Sequence, residues 1–168
     1  EVKREKDEIN TTHHISRLKG LKLIKVKGSS FYGYVKDEYT TLPESFDRPL
    51  FIFLNIDWRY KDIEDARGNT SDGYVAAEQV RDIAYTVFHE ENSPSIQNLI
   101  YRIGTRILER FPQLAEVRFE SNNRTWETIL DEIPASKEGK VFTEPRPPYG
   151  FQCFSMTHED LESNRDIT

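Results

Sequence analysis

Apolar and polar residues alternate along several stretches of the chain, and the alternation predicts its strands. Leu21 and Leu23 flank Lys22, while Ile24 and Val26 stand against Lys25 and Lys27. Period two over this length reads as a half-buried strand. The alternation slips by one residue at Leu23-Ile24, which predicts a bulge there. The charged opening EVKREKDEIN reads as another β-like run. From Phe51 to Trp58 the pattern is clearest, with Ile52, Leu54, Ile56 and Trp58 on one face and Phe51, Phe53, Asn55 and Asp57 on the other. Between these strands, Phe31 to Arg48 shows no regular period and is rich in aromatics. A connection of that length inside a compact domain is usually functional.

The period then changes. Val80, Ile83, Ala84, Val87 and Phe88 recur at three- and four-residue steps, which predicts a helix capped by Asp72 or Ser71. Ser93 and Pro94 form an N-cap and first-position pair for a second helix, whose stripe of Ile96, Leu99, Ile100, Ile103 and Ile107 runs until Phe111-Pro112. Strands resume at Leu114 to Glu120, where Ala115, Val117 and Phe119 alternate with Glu116, Arg118 and Glu120, and at Phe151 to Met156 after PRPPYG. Strands, two amphipathic helices, then strands predict an α+β layer with both helices side by side on one sheet face. Glu159 to Thr168 reads as a loose polar tail, so the expected organisation is one domain over residues 1–161 and a tail over 162–168.

Composition adjusts this picture in two ways. The 168 residues suit one domain, but the apolar share is 36%, below the roughly 45–50% of an average globular chain. Such a core is thin, and a domain of this kind is expected to lean on neighbours. With 23 basic and 29 acidic side chains the formal charge is −6. No run of five or more Lys/Arg is present, which argues against nucleic acid or an anionic membrane as a partner. No apolar stretch approaches the length that spans a bilayer. The chain starts at Glu1, which suits a piece of a longer polypeptide. One cysteine, Cys153, cannot form an internal disulfide and fits a reducing compartment. Its apolar neighbours in FQCFSM predict a buried, inert thiol.

Candidate chemistry concentrates at the start of the second helix. The first turn of a helix leaves N–H groups unpaired at the positive end of the macrodipole. Here it presents the Ile96 N–H and the Gln97 carboxamide, a donor and an acceptor that match a purine or pterin edge; Gln97 is equally compatible with a solvated surface position. Arg48 can grip a carboxylate or an anionic heterocycle with two parallel hydrogen bonds, or pair on the surface with Asp47 or Asp37. Phe31 is either a stacking platform for a flat ligand or core. Metal chemistry lacks its parts: His13 and His14, adjacent on an expected strand, would point to opposite faces, and His89 and His158 stand apart with no HxH, HExxH or CxxC spacing. GxGxxG, Walker and GxSxG motifs are absent as well.

The runs SSFYGYVKDEYTTLPESFDR, NSPSIQNLIY, VRFESNNRTWETIL and VFTEPRPPYGFQCFSMTHEDL, spread from Ser29 to Leu161, resemble the second half of the urate oxidase (uricase) family, particularly its Bacillus-type bacterial members. The resemblance implies the second T-fold unit of a tandem pair, a four-stranded antiparallel sheet carrying two antiparallel helices. It implies cofactor-free oxidation of urate by O2 and water to 5-hydroxyisourate and hydrogen peroxide, without a metal. Phe31 would stack on the purine, Arg48 and Gln97 would grip its edge, Ile96 would donate its backbone N–H and Leu42 would line the pocket. Asn123 would hold the O2 or water over the ring.

Two departures shape what this implies. Many family members carry a relay histidine two residues after the asparagine that matches Asn123, and here that position is Thr125. A hydroxyl cannot serve as the same base near neutral pH, so a relay through Thr125 needs water or another group. The family's catalytic lysine and Thr-Asp pair belong to the first T-fold half of a neighbouring subunit, and nothing in this chain matches them. The expected partners are therefore urate, O2, an N-terminal T-fold half and the neighbouring subunits of a homotetramer, in a cytoplasmic setting, with this chain inactive alone. The competing reading is a non-catalytic purine-binding or structural T-fold module, for which Thr125 in place of histidine is the best support.

Overall fold

The structure is a computed structural model that describes residues 1–5, 8–41, 43–68, 73–124, 126–130, 132–136, 139–145, 147 and 149–163. A short ribbon of β1 (Val2–Glu5) and β2 (Glu8–Thr11) is followed by β3 (Ser16–Lys25) and β4 (Leu50–Tyr60). Then come α1 (Ile63–Ala66), α2 (Ala77–Glu90), α3 (Ile96–Arg110) and β5 (Leu114–Arg124). A second ribbon, β6 (Thr128–Leu130) with β7 (Val141–Phe142), precedes β8 (Gly150–Met156) and α4 (His158–Ser163). The main sheet has the order β3-β4-β5-β8, with every pair antiparallel. The opening run is thus two strands paired on each other, apart from that sheet.

Both long helices cover one face, as the α+β reading expects. Ile52, Leu54 and Ile56 of β4 are fully buried there against Val80, Ala84 and Phe88 of α2 and Ile100, Ile103 and Ile107 of α3. Among the described residues the other face has no such cover: Ile24 is 48% and Phe151 75% exposed. Cys153 lies on that face and is exposed, which corrects the expectation of a buried thiol. The cause is register, because Phe154 and Met156 take the covered side of β8.

The bulge also falls elsewhere than predicted. Leu21 to Lys25 pair without a slip against Leu54 to Leu50, and the register shifts between Leu18 and Leu21. Gly20, at φ 69°, fills that shift, and its N–H donates to Asn55 Oδ1 at 2.8 Å. Lys25 is the reason the pattern misleads. Its Nζ donates to the Phe88 and Glu91 carbonyls at 3.2 and 2.8 Å, at the end of α2, where free carbonyls gather negative potential. A lysine that satisfies a helix end can occupy the position that alternation reserves for an apolar side chain. Burial pushes its ammonium below the ordinary lysine value, with Glu91 and Asp47 pulling the other way. Lys25→Met, which keeps the stem and removes both hydrogen bonds, should cost about 1 kcal/mol in urea unfolding; an unchanged midpoint would mean that solvent replaces them at no cost.

Helix starts differ as well. Ser71 and Asp72 lie outside the described residues, and α2 begins after Ala76, whose N–H donates to Gln79 Oε1 at 3.2 Å. A side chain reaching back from the third helical position replaces the expected cap. For α3 the cap is Ser95 instead of Ser93: its backbone is extended and its Oγ accepts the Asn98 N–H at 3.1 Å. Ser93 supports that cap by donating to the Ser95 carbonyl at 2.8 Å. Beyond β8, Glu159 to Ser163 is helical, with the Thr157 N–H donating to Asp160 Oδ2 at 2.7 Å and Leu161 packed on the core. The loose tail expected there is thus ordered as far as Ser163, and residues 164–168 lie outside the described set.

Candidate functional site

One end of the sheet collects most of the candidate residues. Phe51 pairs with Arg124 and Ile52 with Asn123, so Arg48, just before β4, and Asn123, near the end of β5, lie at the same end. α3 joins β5 through only Phe111 to Gln113, so the two run antiparallel, with Gly104 packed over Phe119. From Gly104 back to Ile96 is about 12 Å of helix and from Phe119 on to Asn123 about 13 Å of strand. The first turn of α3 therefore reaches the same end.

Hydrogen bonds tie the aromatic loop to that helix start. The Ser30 N–H and Oγ donate to the Ser93 carbonyl at 3.4 and 3.1 Å. Phe31 and Ser45 exchange backbone hydrogen bonds of 2.7 and 2.9 Å, and the Arg48 N–H donates to the Ser29 carbonyl at 2.7 Å. The loop tip is closed by Asp37, whose Oδ1 accepts the Tyr39 N–H and the Thr40 hydroxyl at 3.0 and 2.9 Å. Asp37 and Asp47, the expected ion partners of Arg48, are engaged with the backbone: Asp47 Oδ1 accepts the Gly28 N–H at 2.6 Å.

Arg48 instead lies over the Phe31 ring, 4.5 Å from its centroid. Tyr34 stacks on the same ring at 4.3 Å and 21°. The Arg48 Nε is buried with no partner among the described residues, and burial pushes its guanidinium below the ordinary arginine value, with Tyr34 acting in the opposite direction. A half-buried cation with an unused donor is poised for an anionic or acceptor-rich ligand. Beside it is a cavity of about 530 Å³, lined in part by Lys27, Asp47, Arg48, Trp126 and Phe142. The Trp126 indole N–H is likewise buried without a partner among the described residues. This cavity does not reach Phe31, Ile96, Gln97 or Asn123.

At the helix start, the Ile96 side chain is buried while Gln97 is exposed. Their N–H groups belong to the first turn, beyond the reach of any carbonyl of α3. Asn123 is half-buried, and its Oδ1 accepts from Gln152 Nε2 at 3.2 Å. Leu42 and Thr125 lie outside the described residues. The structure thus brings Phe31 and Arg48 into contact and sets Ile96, Gln97 and Asn123 at the same end. Tyr34 and Gln152 were not anticipated. Tyr34 had a signal, an aromatic three residues beyond Phe31; Gln152 had none without the strand register. His13 and His14 lie between β2 and β3, off any strand. Among the described residues no three His, Cys, Asp or Glu side chains gather as a metal site. No helix among them is long and apolar enough to cross a membrane.

Comparison with known proteins gives one consistent result. The uricase family model matches residues 14–152. A uric acid degradation bifunctional protein of Bacillus sp. (strain TB-90) is 63% identical over 160 residues, covering 95% of this chain and 32% of that protein. A uricase of Halalkalicoccus jeotgali is 54% identical, covering 96% of this chain and 52% of its own length. Among solved structures, urate oxidase from Bacillus sp. TB-90 superposes with a TM-score of 0.86 at 62% identity, over 93% of this chain and 52% of that one. A uricase from Bacillus fastidious gives a TM-score of 0.89 at 55% identity, over 98% and 50%. The chain spans about a third to a half of the length of these relatives.

Proposed function

Because this chain belongs to the uricase family, we propose that it supplies the substrate-gripping half of a urate-oxidising site. In the reaction, urate gives two electrons to O2, water adds to the purine, and 5-hydroxyisourate and hydrogen peroxide leave. An electron-rich urate anion can reduce O2 without flavin or metal, so the protein's task is to hold the anion and the oxygen in place. Arg48 and Gln97 grip the purine edge, the Ile96 N–H adds a donor, Leu42 lines the pocket and Phe31 stacks on the ring. Asn123 holds O2 or water above the ring, and Thr125 with water takes the relay position.

The observation that carries this reading is Arg48: its Nε is buried without a partner among the described residues, and its guanidinium covers the Phe31 ring at 4.5 Å. A purine stacking on that face takes the place of the guanidinium, which then turns to the purine edge. The remaining catalytic groups come from the N-terminal T-fold half of a neighbouring subunit, in a cytoplasmic homotetramer. A site spread over two units accounts for a cavity that meets Arg48 alone of the five described candidates, and for exposed Tyr39 and Phe46 on the aromatic loop.

Turnover tests the proposal. The chain alone should leave urate absorbance unchanged, whereas the chain assembled with a first half should consume urate and release peroxide in equal amounts. A correctly assembled, urate-binding protein that releases no peroxide would leave a purine-binding module in place of the enzyme.

A further inference from the structure

We infer that Gln152 is a positioning residue that orients the Asn123 carboxamide, so that the NH2 group and not the oxygen faces the space over the urate ring. The inference rests on the proposed role of Asn123 beside O2.

Three residues at the end of the mostly apolar, helix-covered face form a directional string. On adjacent antiparallel strands, Ser121 stands opposite Gln152 and Asn123 opposite Gly150. Ser121 and Asn123, two apart on one strand, share a face with Gln152. Ser121 is 1% exposed, and its hydroxyl donates to Gln152 Oε1 at 3.0 Å. A carboxamide that accepts at its oxygen donates at its nitrogen, and Gln152 Nε2 does so to Asn123 Oδ1 at 3.2 Å. Gly150 makes room for the oxygen there, because a Cβ would lie 2.1 Å from Asn123 Oδ1. The Asn123 oxygen therefore lies against β8, across a residue with no side chain, and its NH2 stands farther off, 3.1 Å from the same Cβ position.

Chemistry gives the orientation its consequence. As urate reduces O2, negative charge grows on the oxygen atoms above the ring, and a preorganised N–H donor stabilises that charge more than the neutral starting gas. A reversed amide would present a carbonyl oxygen to the same charge. The alternative, that the string only satisfies buried Ser121, makes a different prediction for the isosteric variants.

The test uses the full-length assembled enzyme carrying Gln152→Glu or Gln152→Met. A carboxylate can accept from Ser121 but cannot donate, so Asn123 must turn its NH2 toward residue 152. Methionine removes both hydrogen bonds at similar length and leaves the amide free to rotate. At saturating urate, kcat should fall about ten- to a hundredfold in Gln152→Glu and about tenfold or less in Gln152→Met. Affinity for the unreactive analogue 8-azaxanthine should stay within about threefold of wild type in both. Orientation is read separately from the Asn123 side-chain NH2 resonances of protein labelled with nitrogen-15 at asparagine. Their exchange with water should slow in Gln152→Glu. The inference is overturned by unchanged kcat in both variants, by a fall in affinity as large as the fall in kcat, or by Asn123 resonances that do not respond. Absence of turnover in the wild-type assembly would sink the urate reading alone, and the Asn123 resonances would then uphold or overturn the orientation by themselves.

Discussion

Arg48→Ala should lower the affinity of the assembled protein for 8-azaxanthine by about 30- to 1,000-fold, the equivalent of about 2–4 kcal/mol, while thermal unfolding occurs at the same temperature or higher. The two outcomes follow from one geometry. A guanidinium gives an anionic heterocycle two parallel charge-assisted hydrogen bonds, and alanine gives none. In the chain the same group has a buried Nε without a partner among the described residues and rests on the Phe31 ring at 4.5 Å. Holding a desolvated, incompletely paired cation costs the fold stability that truncation restores, offset by the lost contact with the ring. Arg48→Lys should fall between wild type and alanine, because lysine keeps the charge and loses the planar fork. Affinity within threefold of wild type in Arg48→Ala would remove Arg48 from the site, and with it the main support for the proposed function.

How much of this was legible in the sequence depended on whether a property is local. Burial repeats with the period of each element, so the face of β4 carrying Ile52, Leu54 and Ile56 and the α3 stripe from Ile96 to Ile107 stand where periodicity puts them. Phe31 and Arg48 could be picked out because the loop that carries them is long and aromatic, and their contact confirms that the loop brings them together. Lys25 hides its own position: a hydrogen-bonding lysine on the covered face imitates a break in the pleat. Cys153 misleads as well, since an apolar setting in sequence does not reveal that its face of the sheet is open. The string from Ser121 through Gln152 to Asn123 joins two strands some thirty residues apart, and only their register reveals it.

The packing of α3 on the sheet should be as intolerant of added volume as the site is of lost charge. Gly104 sits mid-helix, where alanine would ordinarily favour the helix by about 1 kcal/mol. Here a Cβ would lie 2.5 Å from Met156 Sδ and 2.9 Å from Phe119 Cε2. The thioether is flexible and can move, but Phe119 is fully buried and stacked on Phe154 at 5.3 Å, so its ring cannot retreat. Gly104→Ala should therefore destabilise the protein by about 1–2 kcal/mol, the overlap with Phe119 and Met156 outweighing the helical gain. Gly104→Val adds two methyl groups whose direction a helix restricts, and should destabilise the protein by about 2–4 kcal/mol in urea unfolding. Met156→Ala opens space on one side of the contact, so the double variant should be more stable than the sum of the single effects by at least about 1 kcal/mol. Strict additivity would show that α3 shifts as a body and that the contact with Met156 is not what limits it. Because α3 carries Ile96 and Gln97 at its first turn, a shift of that kind should also appear as weaker 8-azaxanthine binding in Gly104→Val, which links the packing of the helix to the geometry of the site.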